Sequence, residues 1–225
     1  AVNNLQVELS RDGNADWIGI RGDIAGPGKD LIQLLNETPL QDATGAAFAD
    51  WRATGSYNAE LDLKVPLVAG VKPELVVKGR LSRVAIANRK LDIAMTDISG
   101  DLRFTSWRGL AARRLKGRLW GEPLLASVRS SRVGSAGGQT TIVEMSAPVA
   151  VDRLDRWLDV PASALASGRA QVRGTLTIAP EAEPGASRLV LRTDLEDVEL
   201  ALPAPFGKSA DQRRARGLRL AWGRR

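Results

Sequence analysis

Between Ser56 and Val65 apolar and polar residues alternate without exception. Tyr57, Ala59, Leu61, Leu63 and Val65 fall on one side; Ser56, Asn58, Glu60, Asp62 and Lys64 fall on the other. Successive side chains of an extended chain point to opposite faces, so a period of two predicts a long strand with one dry and one wet face. A helix, with its period of 3.6, would scatter these residues around its axis. The pattern returns from Gly168 to Ile178, where Ala170, Val172, Leu176 and Ile178 oppose Arg169, Gln171, Arg173, Thr175 and Thr177.

Shorter runs of the same kind are Leu5 to Leu9, Trp17 to Arg21, Leu75 to Ile86, Leu91 to Met95, Leu102 to Phe104, Leu115 to Trp120, Leu125 to Arg129, Thr140 to Met145, Arg188 to Thr193, Val198 to Leu202 and Leu218 to Trp222. With the two long runs they make about thirteen predicted strands. Helical spacing is confined to short stretches: Gly28 into Leu31, Leu34 and Leu35; Ala43 to Trp51; and Val151 to Leu158. Parallel βαβ units need a helix after nearly every strand, which this chain lacks, so the expected class is mainly β, an antiparallel sheet with a few short helices. A loose repeat, about 100 residues apart, sets Trp51 before one long strand and Trp157 before the other, with Thr96-Asp97-Ile98 and Thr193-Asp194-Leu195 downstream. It predicts one segment with two repeat units, about 1–110 and 111–225.

Composition narrows the chemistry. The 225 residues contain no cysteine and no histidine. That removes disulfides, thiolate metal sites, Ser-His-Asp and Cys-His nucleophiles, and the commonest general base. No catalytic residue, metal or cofactor is expected. The longest apolar runs, such as Val65 to Val71, fall far short of the roughly 20 residues of a membrane-spanning helix. A net charge of +6 raises the question of an anionic partner, and Arg113, Arg114, Lys116 and Arg118 form one basic cluster, Arg213, Arg214, Arg216 and Arg219 another. Neither is interleaved with the aromatic residues of a nucleic-acid stacking platform, in a chain with one tyrosine and three phenylalanines. The charges read as solvated strand faces, and no nucleic-acid partner is expected.

Other motifs carry little. Gly134 to Thr140 is glycine-rich but lacks the lysine and helix of a phosphate loop, so it reads as a hairpin loop. Ser209 beside Lys208 are neighbours in a turn. Asp50 with Asp97, or Glu144 with Asp152, would serve a glycosidase only if the fold joined them. Trp51, Trp120 and Trp157 sit among apolar neighbours and read as core anchors; Trp107 and Trp222 are less clearly so. Leu202-Pro203-Ala204-Pro205-Phe206 breaks a strand, marking an edge or a rim.

Several segments, in order, resemble the YhdP branch of the AsmA-like family. They are Gly100-Asp101-Leu102-Arg103-Phe104, Gly109-Leu110-Ala111-Ala112, Leu115 through Leu124, Trp157-Leu158-Asp159-Val160-Pro161, Leu165 to Gly168, Thr193 to Val198, and Leu202 through Lys208. The resemblance spans roughly residues 55–225. It implies an internal segment of a longer periplasmic body, anchored elsewhere in the inner membrane, that carries phospholipids between inner and outer membranes along an apolar groove of repeated β units. The implied partners are phospholipid acyl chains, adjoining segments of the same parent chain, and the two membranes through other parts of it. Candidate groove-face residues are then Leu61, Leu63, Val65, Leu102, Phe104, Val172, Leu176, Ile178, Val198 and Leu200.

Alternation alone fits another architecture as well, a closed sandwich whose two apolar faces meet, giving a structural or protein-interaction domain with no ligand. Alone, it favours that sandwich; the resemblance favours the open sheet. A conduit also demands continuity, because each CH₂ left in water costs about 0.8 kcal/mol and a four-methylene gap about 3 kcal/mol. Thirteen strands at about 4.8 Å would give a run of roughly 60 Å.

Overall fold

The computed structural model describes residues 2–12, 15–30, 50–68, 70–90, 92–133, 138–159, 165–178, 188–193, 197–201, 207–210 and 218–223. Its strands are β1 (Val2–Asp12), β2 (Ala15–Pro27), β3 (Arg52–Pro66), β4 (Glu74–Asn88), β5 (Ile93–Thr105), β6 (Gly109–Leu119), β7 (Glu122–Val133), β8 (Gly138–Ala150), β9 (Ala166–Ile178), β10 (Arg188–Thr193), β11 (Val198–Leu200) and β12 (Leu218–Gly223). Each strand from β1 to β9 pairs antiparallel with the next, β12 pairs β10, and β11 pairs the first residues of β9. β1 and β12 end the path without meeting, so the sheet is open. The ladder runs unbroken through residue 110, joining β5 to β6.

The described residues form twelve strands where alternation predicts about thirteen, because the described part of the Leu91–Met95 run, Ile93 to Met95, and Leu102–Phe104 both belong to one strand, β5. Asp97 (φ 54°) and Gly100 (φ 145°) interrupt the period without ending the ladder, so one strand looks like two in the sequence. β6 likewise begins at Gly109, ahead of the predicted Leu115. The helix expected at Val151 to Leu158 is present as α1 (Val151–Leu158). Its last turn closes on Asp159 in the left-handed region (φ 53°), whose N–H donates to the Asp155 carbonyl. Residues 28–30 are helical, and the rest of that predicted helix lies outside the described residues; so does most of Ala43 to Trp51, of which Asp50 is a turn and Trp51 is not helical.

Bulges bend the long strands. The ladder register shifts between Thr54 and Ser56 of β3, between Leu81 and Ile86 of β4, between Thr96 and Arg103 of β5, and between Ala112 and Leu115 of β6. An extra residue would throw every later side chain to the wrong face unless the hydrophobic pattern slipped with it. It does: apolar positions on β4 run Leu75, Val77, Leu81 and then Val84, Ile86, and on β6 Leu110, Ala112 and then Leu115, Leu119. The apolar face therefore stays whole while the strands curve. β6 and β8 accordingly come within 8 Å, Cα to Cα, across β7, although two strand spacings in a flat sheet amount to about 9.6 Å.

The opposite face is polar and held in register by charge. Arg21 faces Asp62, Lys78 faces Glu60, and Arg80 faces Asp101 directly across their ladders, with N···O distances of 3.5, 3.4 and 2.7 Å.

Candidate functional site: the apolar face

One row of side chains crosses most of the sheet. Ile24, Ala59, Gly79 and Leu102 are successive ladder partners from β2 to β5, and Ala112, Val128, Val143, Leu176 and Leu189 continue from β6 to β10. Gly79 is no gap, because Leu102 covers it: a β-carbon there would lie 3.0 Å from the Leu102 Cδ1. A parallel row runs Leu115, Ala126, Met145, Gly174 and Leu191, and a third runs Val7, Ile20, Leu63 and Leu75. Most of these side chains are half-buried, and among the described residues no second sheet lies over them.

All ten candidate residues fall on this face, in unequal settings. Leu61 pairs with Val77, which pairs with Phe104, which pairs with Leu110; these four form one apolar cluster in which Phe104 is 3% exposed. Leu63, Val65, Leu102, Val172 and Leu176 are half-buried, and Ile178 is buried. Val198 and Leu200 belong to a separate cluster under α1, where Val198, Val151 and Ala170 close on one another and Leu154 and Leu200 pack against them. Sequence reasoning omitted Ile24, Val128, Val143 and Leu189; Val128, Val143 and Leu189 lie inside predicted strands at the correct parity, so the signal was there.

One row contains a polar step. After Leu110 come Ser130 and Thr141, which share a hydrogen bond of 2.8 Å, while the Ser130 hydroxyl also accepts the Leu110 N–H. The hydroxyls are thus satisfied within the sheet, which limits the cost of placing them among apolar neighbours.

α1 is fastened to the strand ends by a mixed contact. The Arg153 guanidinium lies 4.7 Å from the centre of the Trp120 ring and donates to Asp92 Oδ2 at 2.8 Å; the Trp120 indole N–H donates to the Asp92 carbonyl, and Trp157 packs tilted against Trp120 at 5.7 Å. The core-anchor reading of Trp120 and Trp157 agrees with this geometry. At the same end of the strands, Tyr57 is buried with Ala53, Leu81, Val84 and Ile98, and burial together with the charge of Asp30 raises its phenol pKa above the ordinary value of 10.0.

The catalytic combinations considered from sequence find their members otherwise engaged. Asp50 binds Lys90, Asp97 lies near Arg118, Glu144 binds Arg129, and Asp152 binds Arg156. Lys208 is buried and its Nζ donates to the Val198 carbonyl at 3.0 Å, tying the chain after β11 back onto that strand. Residues 134–137 and 202–206 lie outside the described residues. Among the described residues no three His, Cys, Asp or Glu side chains are grouped to hold a metal, and no helix is long and apolar enough to cross a membrane.

Among the described residues a curved, open antiparallel sheet with one mainly apolar face defines the class: an open β-sheet protein whose distinctive surface is that face. Within it the chain belongs to the YhdP protein family, whose sequence model matches residues 1–220. It is similar to the intermembrane phospholipid transporter YhdP of Escherichia coli (strain K12), with 27% identity over 204 residues, covering 86% of this chain and 15% of that protein. The chain thus spans about a seventh of its relative's length. No solved structure matches it.

Proposed function

We propose that this chain is a lipid-carrying segment: its apolar face receives phospholipid acyl chains, which pass along it, across the strands, between the inner and outer membranes. The observation that carries the reading is the row from Ile24 to Leu189, which offers apolar side chains on successive strands with, among the described residues, no second sheet to bury them. A tail lying across such rows avoids the roughly 0.8 kcal/mol per CH₂ that water would exact. The similarity to the Escherichia coli intermembrane phospholipid transporter supports it. On this reading the segment works in the periplasm, joins adjoining parts of a longer parent chain, and performs no covalent chemistry. The groove-face residues are Leu61, Leu63, Val65, Leu102, Phe104, Val172, Leu176 and Ile178, with Val198 and Leu200 at the end closed by α1.

The test is photocrosslinking in bacterial membranes from a photoreactive residue at Leu61 or Leu176, against Asn58 and Thr175 on the polar face. Lipid adducts at the first two and not at the second two support the proposal. Adducts at none, with no lipid extracted from the purified chain, would overturn it in favour of a purely structural β-domain.

A further inference from the structure

The polar face carries a second feature, separate from the apolar one. A crevice of about 1600 Å³ opens on it between β2 and β6. Its walls include Lys78, Arg80, Arg103, Arg108, Arg113 and Arg114. Lys78 and Arg80 are engaged by Glu60 and Asp101. Arg103, Arg108, Arg113 and Arg114 are exposed and make no ion pair among the described residues.

The β6 bulge explains how this cluster arises. Ala112 and Leu115 both face the apolar side, so the two residues between them, Arg113 and Arg114, are both on the polar side; a regular strand would send one to each face. Arg103 sits opposite Ala111, two positions from Arg113, which is about 7 Å along the strand. Four arginines, each able to fork onto a phosphate, thus line one crevice and make no ion pair among the described residues.

Beside the crevice stands Trp107, 42% exposed, in the β5–β6 turn. That turn is fixed to β4, since the Ser106 N–H donates to the Leu75 carbonyl at 2.9 Å and the Leu75 N–H to the Ser106 hydroxyl at 3.1 Å. Antiparallel pairing sets the β3–β4 turn at the same end of the strands, and its Leu67, Val68 and Val71 are 54, 44 and 47% exposed. Aliphatic turn tips, an interfacial tryptophan and unpaired arginines together match the chemistry of an anionic bilayer surface, whose phosphates meet the cations while the apolar tips enter the headgroup boundary. An acidic peptide would use the arginines and leave the apolar tips in water.

We propose that the polar face around the β5–β6 hairpin docks on an anionic membrane surface, with lipid phosphates at Arg103, Arg108, Arg113 and Arg114 and Trp107 seated in the interface. This docking does not depend on the apolar face carrying lipid.

The test is sedimentation of the chain with phosphatidylglycerol/phosphatidylethanolamine vesicles, against phosphatidylcholine/phosphatidylethanolamine vesicles, over a salt series. Wild type is expected to bind the anionic vesicles in a salt-sensitive way. The variant Arg103→Gln/Arg113→Gln/Arg114→Gln, which alters only exposed side chains, is expected to lose roughly a hundredfold in partitioning, about fivefold per cation. Because the chain has no cysteine, an environment-sensitive probe on Trp107→Cys reports insertion directly, with Arg89→Cys at the opposite end of the strands as the control. A blue shift at position 107 and not at 89 supports the proposal. Equal binding by wild type and the triple variant, equal binding to both kinds of vesicle, or capture by polyglutamate without vesicle binding would each overturn it. Loss of docking on Leu61→Asp, with the fold intact by circular dichroism, would also overturn it by assigning vesicle binding to the apolar face.

Discussion

Gly55 of β3 lies so close to Arg83 of β4 that a β-carbon on it would sit 2.5 Å from the Arg83 carbonyl oxygen. Both residues have positive φ, 92° and 48°. The relation recurs at Gly168 of β9 (φ 109°) and Asp197 (φ 56°), where a β-carbon would again collide with the facing carbonyl. At both places a neighbouring backbone carbonyl approaches so closely that only glycine leaves room.

Gly55→Ala and Gly168→Ala are therefore expected to destabilise the chain by about 2–4 kcal/mol each, combining left-handed strain with a backbone clash. Urea unfolding checks this. An unchanged midpoint for either variant would show that the bulge can relax around a methyl group.

Leu102 and Gly79 are expected to behave as a coupled pair, since the Leu102 side chain occupies the space a residue at 79 would need. Leu102→Ala costs about 2 kcal/mol, and Gly79→Val a similar amount through overpacking. The double variant should recover about 1 kcal/mol relative to their sum. A double-mutant cycle measured by urea unfolding decides the matter, and strict additivity would refute the packing relation.

Trp120→Ala removes the ring beneath Arg153 and beside Trp157. Amide exchange within α1 should accelerate, while exchange in β3 and β4 stays as it was, because the helix is held at its own end of the sheet. Uniform acceleration across all strands would indicate instead that Trp120 supports the whole fold.

Tyr57 contributes a pH dependence at the alkaline end. Its phenol pKa is higher folded than unfolded, so its contribution is fully present below the ordinary value of 10.0 and is lost as the pH rises through the folded value. Tyr57→Phe should flatten the fall in stability above about pH 10. Thermal melts at neutral and alkaline pH compare the two proteins, and parallel losses would remove Tyr57 from the account.

Much of the fold was legible because the alternation is strict. Leu61, Leu63 and Val65 could be given a common face from spacing alone, as could Val172, Leu176 and Ile178. α1 was legible because Leu154, Trp157 and Leu158 recur at helical spacing. β5 was misread as two strands because Asp97 and Gly100 interrupt its period, and a bulge looks like a boundary to a reading that counts in twos. The pairing of Arg113 with Arg114 on one face was hidden for the same reason, and with it the basic crevice. Leu125, which opened a predicted strand, is 58% exposed on the polar face; Leu124, one residue earlier, is the buried one.

The order of residues by itself determined which side of every long strand would be oily, because side-chain direction in an extended chain follows from covalent geometry and needs no partner. Whether those sides would meet a second sheet or stay uncovered was decided only in three dimensions. An alternating strand satisfies a sandwich and an open sheet equally well, and the choice rests on register shifts at Gly55, Arg83, Asp97 and Arg113–Arg114 that bend neighbouring strands together. A slip in the period marks each bend locally, but whether it ends a strand or curves it depends on carbonyls and side chains distant in the chain.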